Sequence, residues 1–115
     1  MAQADAVSCV CDQRGTQHAR FVRRIGCDET RGRYADVDLH CCQSCGRLWL
    51  RYFVEYESYT ASGRWACGPI SPEDAERVTP ETAAAYLDNL PWYISGGSYF
   101  YGAVSRRSGP MRWGP

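Results

Sequence analysis

The sequence predicts an α+β fold: a small antiparallel sheet carrying a cysteine metal site, with one or two short helices packed on it. Three observations lead there. Cysteines occur in two close pairs, Cys9-Val10-Cys11 and Cys42-Gln43-Ser44-Cys45, with one segment between them. Residues 33–41 and 47–58 alternate apolar and polar side chains, the period-two pattern of half-buried strands. Residues 79–91 read as a capped amphipathic helix stopped by Pro91.

The cysteine spacing carries the most chemistry. A C-x-x-C turn lets two sulfurs face one centre, and Gly46, directly after the second thiol, suits the left-handed backbone that such a turn often needs. With Cys9 and Cys11, whose spacing is tighter than usual, Cys42 and Cys45 supply the four thiolates of a tetrahedral structural zinc site. The arrangement over residues 7–70 resembles a zinc ribbon, in which two cysteine knuckles clamp one metal above a small antiparallel sheet. The resemblance implies a fold and a structural Zn2+, and no particular function, because ribbons serve many roles. Other cysteine chemistry fits less well. The seven cysteines are odd in number and below the density of disulfide scaffolds. A redox C-x-x-C opens a helix, whereas this one precedes a strand pattern. A zinc deaminase needs H-x-E, but His18 precedes Ala19-Arg20 and His40 precedes Cys41-Cys42.

Taken in order, Cys9 to Gly15 forms the first knuckle. His18 to Ile25 is apolar at Phe21, Val22 and Ile25 among Arg20, Arg23 and Arg24, and reads as a strand or one helical turn. Gly26 to Gly32 reads as a charged loop containing Cys27. In the next strand Val37, Leu39 and Cys41 share one face, and Asp36, Asp38 and His40 the other. In strand 47–58, Leu48, Leu50, Tyr52, Val54 and Tyr56 line one face. Trp49, Arg51, Phe53, Glu55 and Glu57 line the second. A turn over 59–63 returns the chain antiparallel through 64–70, with Trp65 and Cys67 on one side. Ser71-Pro72-Glu73-Asp74 opens a helical turn with a cap, a first-turn proline and acids near the positive dipole end. Thr79-Pro80-Glu81 repeats that grammar, and Ala83, Tyr86, Leu87 and Leu90 then fall on one face. The aromatic stretch 91–101, split by Gly96-Gly97, reads as a hairpin or an ordered loop.

At 115 residues the chain reads as one domain (1–115), with a ribbon-like part over 1–70, a helical segment over 71–91, an aromatic Gly-rich segment over 92–104 and a basic tail over 105–115. Formal charge is zero, and four thiolates on one Zn2+ would add about two negative charges, which is not the balance of a nucleic-acid binder. All thirteen basic residues are arginine, a bias expected of a GC-rich genome. Met1 to Val10 holds no apolar core of signal-peptide length and no run approaches a membrane span, so the expected location is the cytoplasm.

His18 and His40 are alternatives to a thiol in the metal shell or ordinary surface histidines; Cys27, Cys41 and Cys67 read most simply as small buried apolar residues. Cys27 and His40 are the first candidates for a second metal, should one exist. Four Trp, eight Tyr and three Phe exceed what so small a core needs. Trp92, Tyr93, Tyr99, Phe100 and Tyr101, gathered around two glycines, have the composition of an interface. Asp36, Asp38, Glu55 and Glu57 form either an acidic patch or a solvated strand face. The expected function is non-enzymatic binding of another macromolecule, most favourably a protein; size and composition suggest a bacterial immunity protein that occludes a toxin, or an adaptor. The alternative is a nucleic-acid-binding ribbon using Arg20, Arg23, Arg24 and a tail with Arg106, Arg107, Arg112 and Trp113. A thiolate-zinc enzyme is the third class. No small-molecule substrate or membrane partner is suggested.

Overall fold

A computed structural model describes residues 9–56 and 60–111, and at Tyr99 the backbone only. Glu57, Arg112, Trp113 and the Tyr99 side chain, each named above, therefore lie outside the described residues. Six strands form one open antiparallel sheet in sequence order: β1 (Ala19–Asp28), β2 (Ala35–Cys42), β3 (Leu48–Val54), β4 (Arg64–Pro69), β5 (Tyr93–Gly96) and β6 (Ser105–Arg107). Among the described residues three short α-helices accompany it: α1 (Cys11–Arg14), α2 (Pro72–Ala75) and α3 (Pro80–Asp88). The class is α+β, as predicted. No helix among the described residues is long and apolar enough to cross a membrane.

Alternation sets the register of β2 and β3. Leu39 pairs with Leu50 and Val37 with Tyr52 on the inner face, while His40 pairs with Trp49 and Asp38 with Arg51 on the outer. The inner face buries Val37, Leu39, Leu50, Tyr52, Val54 and Ala66 beneath Ala83, Ala84 and Leu87 of α3. Both helix starts follow their sequence signals. Ser71 Oγ accepts from the Asp74 N–H at 3.1 Å, and Thr79 and Thr82 form a reciprocal capping box. A second, smaller core on the outer face joins Cys11, Cys42, Trp49, Cys67 and Ile94. It is roofed by the segment leading from α1 into β1, which comes close because Gly15 has φ +55° and no side chain. A Cβ there would collide with Cys67 Sγ.

Several expectations are corrected. The stretch 26–28 is not loop: β1 continues through Gly26 and Cys27 because two bulges, at Val22 and Ile25, absorb the residues that spoil its alternation. Cys27 and Cys41 are half-buried and only Cys67 is fully enclosed. β3 stops at Val54, where Ser62 Oγ takes the Tyr56 N–H and donates to the Tyr56 carbonyl, turning the chain out of the sheet. Residues 105–107 are not a free tail, since β6 pairs antiparallel with β5. Nor do Asp36 and Asp38 present free carboxylates to an acidic patch. Asp38 is buried against His40 and Arg51, and Asp36 pairs with Arg24.

Ser95 is wholly buried on β5, beside Ala66 of β4, and its hydroxyl has no partner among the described residues. Because an unpaired buried hydroxyl costs desolvation energy, Ser95→Ala is expected to leave stability unchanged or raise it by up to about 1 kcal/mol in urea unfolding. A loss larger than that would reveal a partner for the hydroxyl.

Candidate metal centre

The β2–β3 turn supplies one half of the site. Cys42 ends β2, its N–H donates to the Arg47 carbonyl at 2.9 Å, and the Gly46 N–H returns to the Cys42 carbonyl at 3.1 Å. Gly46 has φ +80°, the left-handed conformation expected after the second thiol. The backbone N–H groups of Ser44 and Cys45 point at Cys42 Sγ, at 3.4 and 3.5 Å. Cys9 and the start of α1 supply the other half, delivered across the outer face by the residue 9–18 segment.

The two halves meet sulfur to sulfur. Cys9 Sγ lies 3.6 Å from Cys42 Sγ, Cys11 Sγ lies 3.7 Å from Cys45 Sγ, and all four sulfurs fall within 4.8 Å of one another. A disulfide would require about 2.05 Å. A tetrahedron with metal–sulfur bonds of about 2.3 Å places its vertices roughly 3.8 Å apart, so the four thiols fit a single tetrahedral metal ion. Cys11 and Cys42 are buried, Cys9 is half-buried and Cys45 is exposed, which puts the site at the sheet's rim with one thiol facing outward. Among the described residues this is the only cluster of potential metal ligands. It is consistent with a zinc-ribbon-like site.

Without a metal the thiols are electrostatically unequal. Burial pushes Cys42 up, but the N–H groups of Cys45 and Ser44 outweigh it and bring the thiol down to about 7. Burial, followed by the neighbouring Cys9 thiol, drives Cys11 far above the ordinary range, and burial also raises Cys45. Crowding four sulfurs without a cation therefore disfavours their shared ionisation, and a divalent ion removes that conflict.

Supporting residues are present that the spacing of the cysteines does not reveal. Asp12 Oδ2 accepts from the Cys9 N–H at 3.3 Å, and its Oδ1 pairs with Arg47 at 2.7 Å, tying the two knuckles together. The Arg47 guanidinium also sits 5.7 Å from the Trp49 ring centre and 5.8 Å from that of Trp92. His18 is not placed as a ligand: its Nε2 bonds Ser44 Oγ at 2.8 Å, and its carbonyl takes the Gln43 N–H at 3.4 Å. His40 is not a free surface histidine, because its Nε2 bonds Asp38 at 2.7 Å and its ring meets Phe21 edge-on. Cys41 points to the Gly46 carbonyl at 3.4 Å, outside the cluster. Asp12, directly after Cys11, and Arg47, two residues after Cys45, were the available signals.

The aromatic candidates separate sharply. Tyr93 is 1 % exposed and donates to the Gly109 carbonyl at 2.6 Å, so it is core and not surface. Phe100 packs partly buried against the main core. Trp92 is half-buried against the small outer core, with the Arg106 guanidinium 3.8 Å above its ring. Tyr101 is 97 % exposed and held at φ +57° in a turn closed by hydrogen bonds from Phe100, Tyr101, Gly102 and Ala103. A left-handed tyrosine is uncommon and costs of order 1 kcal/mol or more, so the surrounding turn must over-determine it. Beside it a cleft of about 380 Å³ is lined by Trp65, Gln17, Ser98 and Val104.

Compared with protein-family models, with curated proteins and with solved structures, the chain gives no match.

Proposed function

We propose that Cys9, Cys11, Cys42 and Cys45 hold one structural zinc ion, and that the domain this ion stabilises is a non-enzymatic module that binds another protein. The observation carrying the first half is the convergence of four sulfurs at tetrahedral spacing from two separate chain segments. Tetrahedral four-sulfur sites suit zinc or iron, and zinc is the usual ion of ribbon knuckles. Four protein ligands fill a tetrahedral shell and leave no open position for a substrate, which is the arrangement of structural sites.

Support for a protein partner comes from Tyr101, an almost fully exposed ring carried on a hydrogen-bonded turn in the β5–β6 connection. Tyrosines of that kind act as interface anchors, because they bury a large area at small entropic cost. The nucleic-acid alternative loses two of its cations, since Arg23 donates to the Ala75 carbonyl and Arg24 pairs with Asp36. Within a protein-binding reading, an immunity protein or an adaptor remains the form suggested by size.

Cross-linked affinity purification from the native host, with and without nuclease, tests this. The expected result is a protein that survives nuclease treatment and whose affinity falls by about 1–2 kcal/mol in Tyr101→Ala, with melting temperature retained. A nuclease-sensitive partner, or one indifferent to Tyr101→Ala, would overturn the assignment.

A further inference from the structure

We infer that the free edge of β6, with Arg106, Arg107 and the Tyr101 ring, is a docking site for an acidic extended segment of a partner protein. The inference rests on the protein-binding reading above and names the chemistry of the partner. Among the described residues, strand order leaves β6 at one end of the sheet with no strand beyond it, and every residue from Tyr101 to Arg107 is exposed. An unpaired strand edge offers main-chain donors and acceptors to another extended peptide, a common mode of recognition.

Charge selects what is added. No Asp or Glu occurs between Leu90 and Met111, so the β5–β6 segment itself is cationic within a chain of zero formal charge. Arg24, Arg47 and Arg51 each have a carboxylate partner. Arg106 and Arg107 have none among the described residues. Instead each guanidinium is laid on an aromatic ring, Arg106 on Trp92 at 3.8 Å and Arg107 on Phe100 at 5.0 Å. Stacking of this kind holds the planar group while leaving its edge N–H donors free, so less side-chain entropy is lost when a carboxylate is bound in bidentate fashion. Successive residues of a strand point to opposite faces, so the two cations flank the edge on both sides and fit a strand carrying carboxylates on both of its faces. Val104 supplies an adjoining apolar contact, 38 % exposed.

Two other occupants fit less well. A second copy pairing through β6 would bring arginine against arginine on a strand only three residues long. A nucleic acid would use the two charges but leave the strand's main-chain groups unpaired, and two phosphate contacts give only weak, salt-sensitive binding.

The test uses the metal-loaded full chain with three probes: an alternating Glu–Thr peptide, its Lys–Thr counterpart and single-stranded DNA. Backbone amide NMR is the readout. The expected result is selective binding of the Glu–Thr peptide, with shifts centred on residues 104–107 and the Trp92 indole, weakened by salt. Arg106→Ala/Arg107→Ala should lower that affinity at least about tenfold with the spectrum elsewhere unchanged, and the double Glu variant should prefer the Lys–Thr peptide. Equal binding of both peptides, shifts confined to another face, preference for DNA, or concentration-dependent dimerisation would each overturn the inference. Tyr101→Ala separates the two levels. If the natural partner is lost with Tyr101→Ala but unaffected by the arginine variants, the protein-binding reading stands and the acidic partner is refuted.

Discussion

Stripping the metal from the four-cysteine cluster is expected to unfold the domain or leave it without fixed tertiary structure. Structural zinc contributes roughly 10 kcal/mol or more of apparent binding energy in small domains, against a net folding stability of about 5–15 kcal/mol. Here the ion would bind the residue 9–18 segment to the β2–β3 turn, and that segment is the roof over Trp49, Cys67 and Ile94. Without the metal, Asp12 with Arg47, His18 with Ser44, and the long Gln43 N–H bond to the His18 carbonyl are polar ties between roof and turn, and the side-chain contacts, partly exposed, contribute little. Elemental analysis should find one zinc per chain, and an iron-loaded preparation would be recognised by its visible absorbance. Chelation should remove the cooperative thermal transition. Cys42→Ser should do much the same, whereas Cys67→Ser, outside the cluster, should cost on the order of 1–2 kcal/mol. A metal-free protein melting at an unchanged temperature would refute the site.

Asp28→Ala is expected to destabilise the domain by about 3–5 kcal/mol, the scale for breaking a buried charged network. Asp28 is fully buried at the end of β1, where its carboxylate accepts from the Tyr52 hydroxyl and from both the N–H and hydroxyl of Thr30, at 2.9 and 2.6 Å. Arg33 reaches the same Tyr52 oxygen at 3.3 Å. Burial alone would raise the Asp28 carboxyl, but the hydrogen bonds from Thr30 and Tyr52 hold it below its ordinary value, and burial with that same contact drives the Tyr52 hydroxyl well above its own. A depressed folded-state value means that the charged form is favoured by folding. Its contribution is complete above the unfolded value of about 4 and is lost as pH falls through the lower folded value. The gap between wild type and Asp28→Ala in urea unfolding should therefore be constant near neutrality and shrink in acid. A gap that widened in acid would contradict the network.

The strands and helix whose residues repeat with a clear period were legible without a structure. β2, β3 and α3 each place one apolar face on a shared core, and local capping chemistry at Ser71 and Thr79 marks helix starts wherever the rest of the chain goes. β1 was obscured because each bulge shifts the alternation by one residue. β5 and β6, four and three residues long, are too short for any period to emerge.

The four cysteines were recognisable because ligand spacing within each knuckle is a local property of the backbone, and the two pairs lack other plausible chemistry. What surrounds them depended on which strands lie side by side. Arg51 meets Asp38, already bonded to His40 along β2, only through the β2–β3 register, and Asp12 reaches Arg47 only once the two knuckles close on a common centre. Composition made Tyr93 and Tyr101 equivalent, but the fold sends one into the core and the other into solvent. Tyr93 lies on a strand whose inner face packs beneath the helices, whereas Tyr101 occupies a left-handed turn that projects beyond the sheet. Residue type and spacing thus marked the two cysteine knuckles and the helix caps, each of which arises within a few residues of chain, and with the strand periodicity they pointed to the α+β class. Long-range pairing, whose energy exists only in the assembled sheet, decided which charges are neutralised, which rings are exposed, and that residues 105–107 form the last strand of the sheet among the described residues.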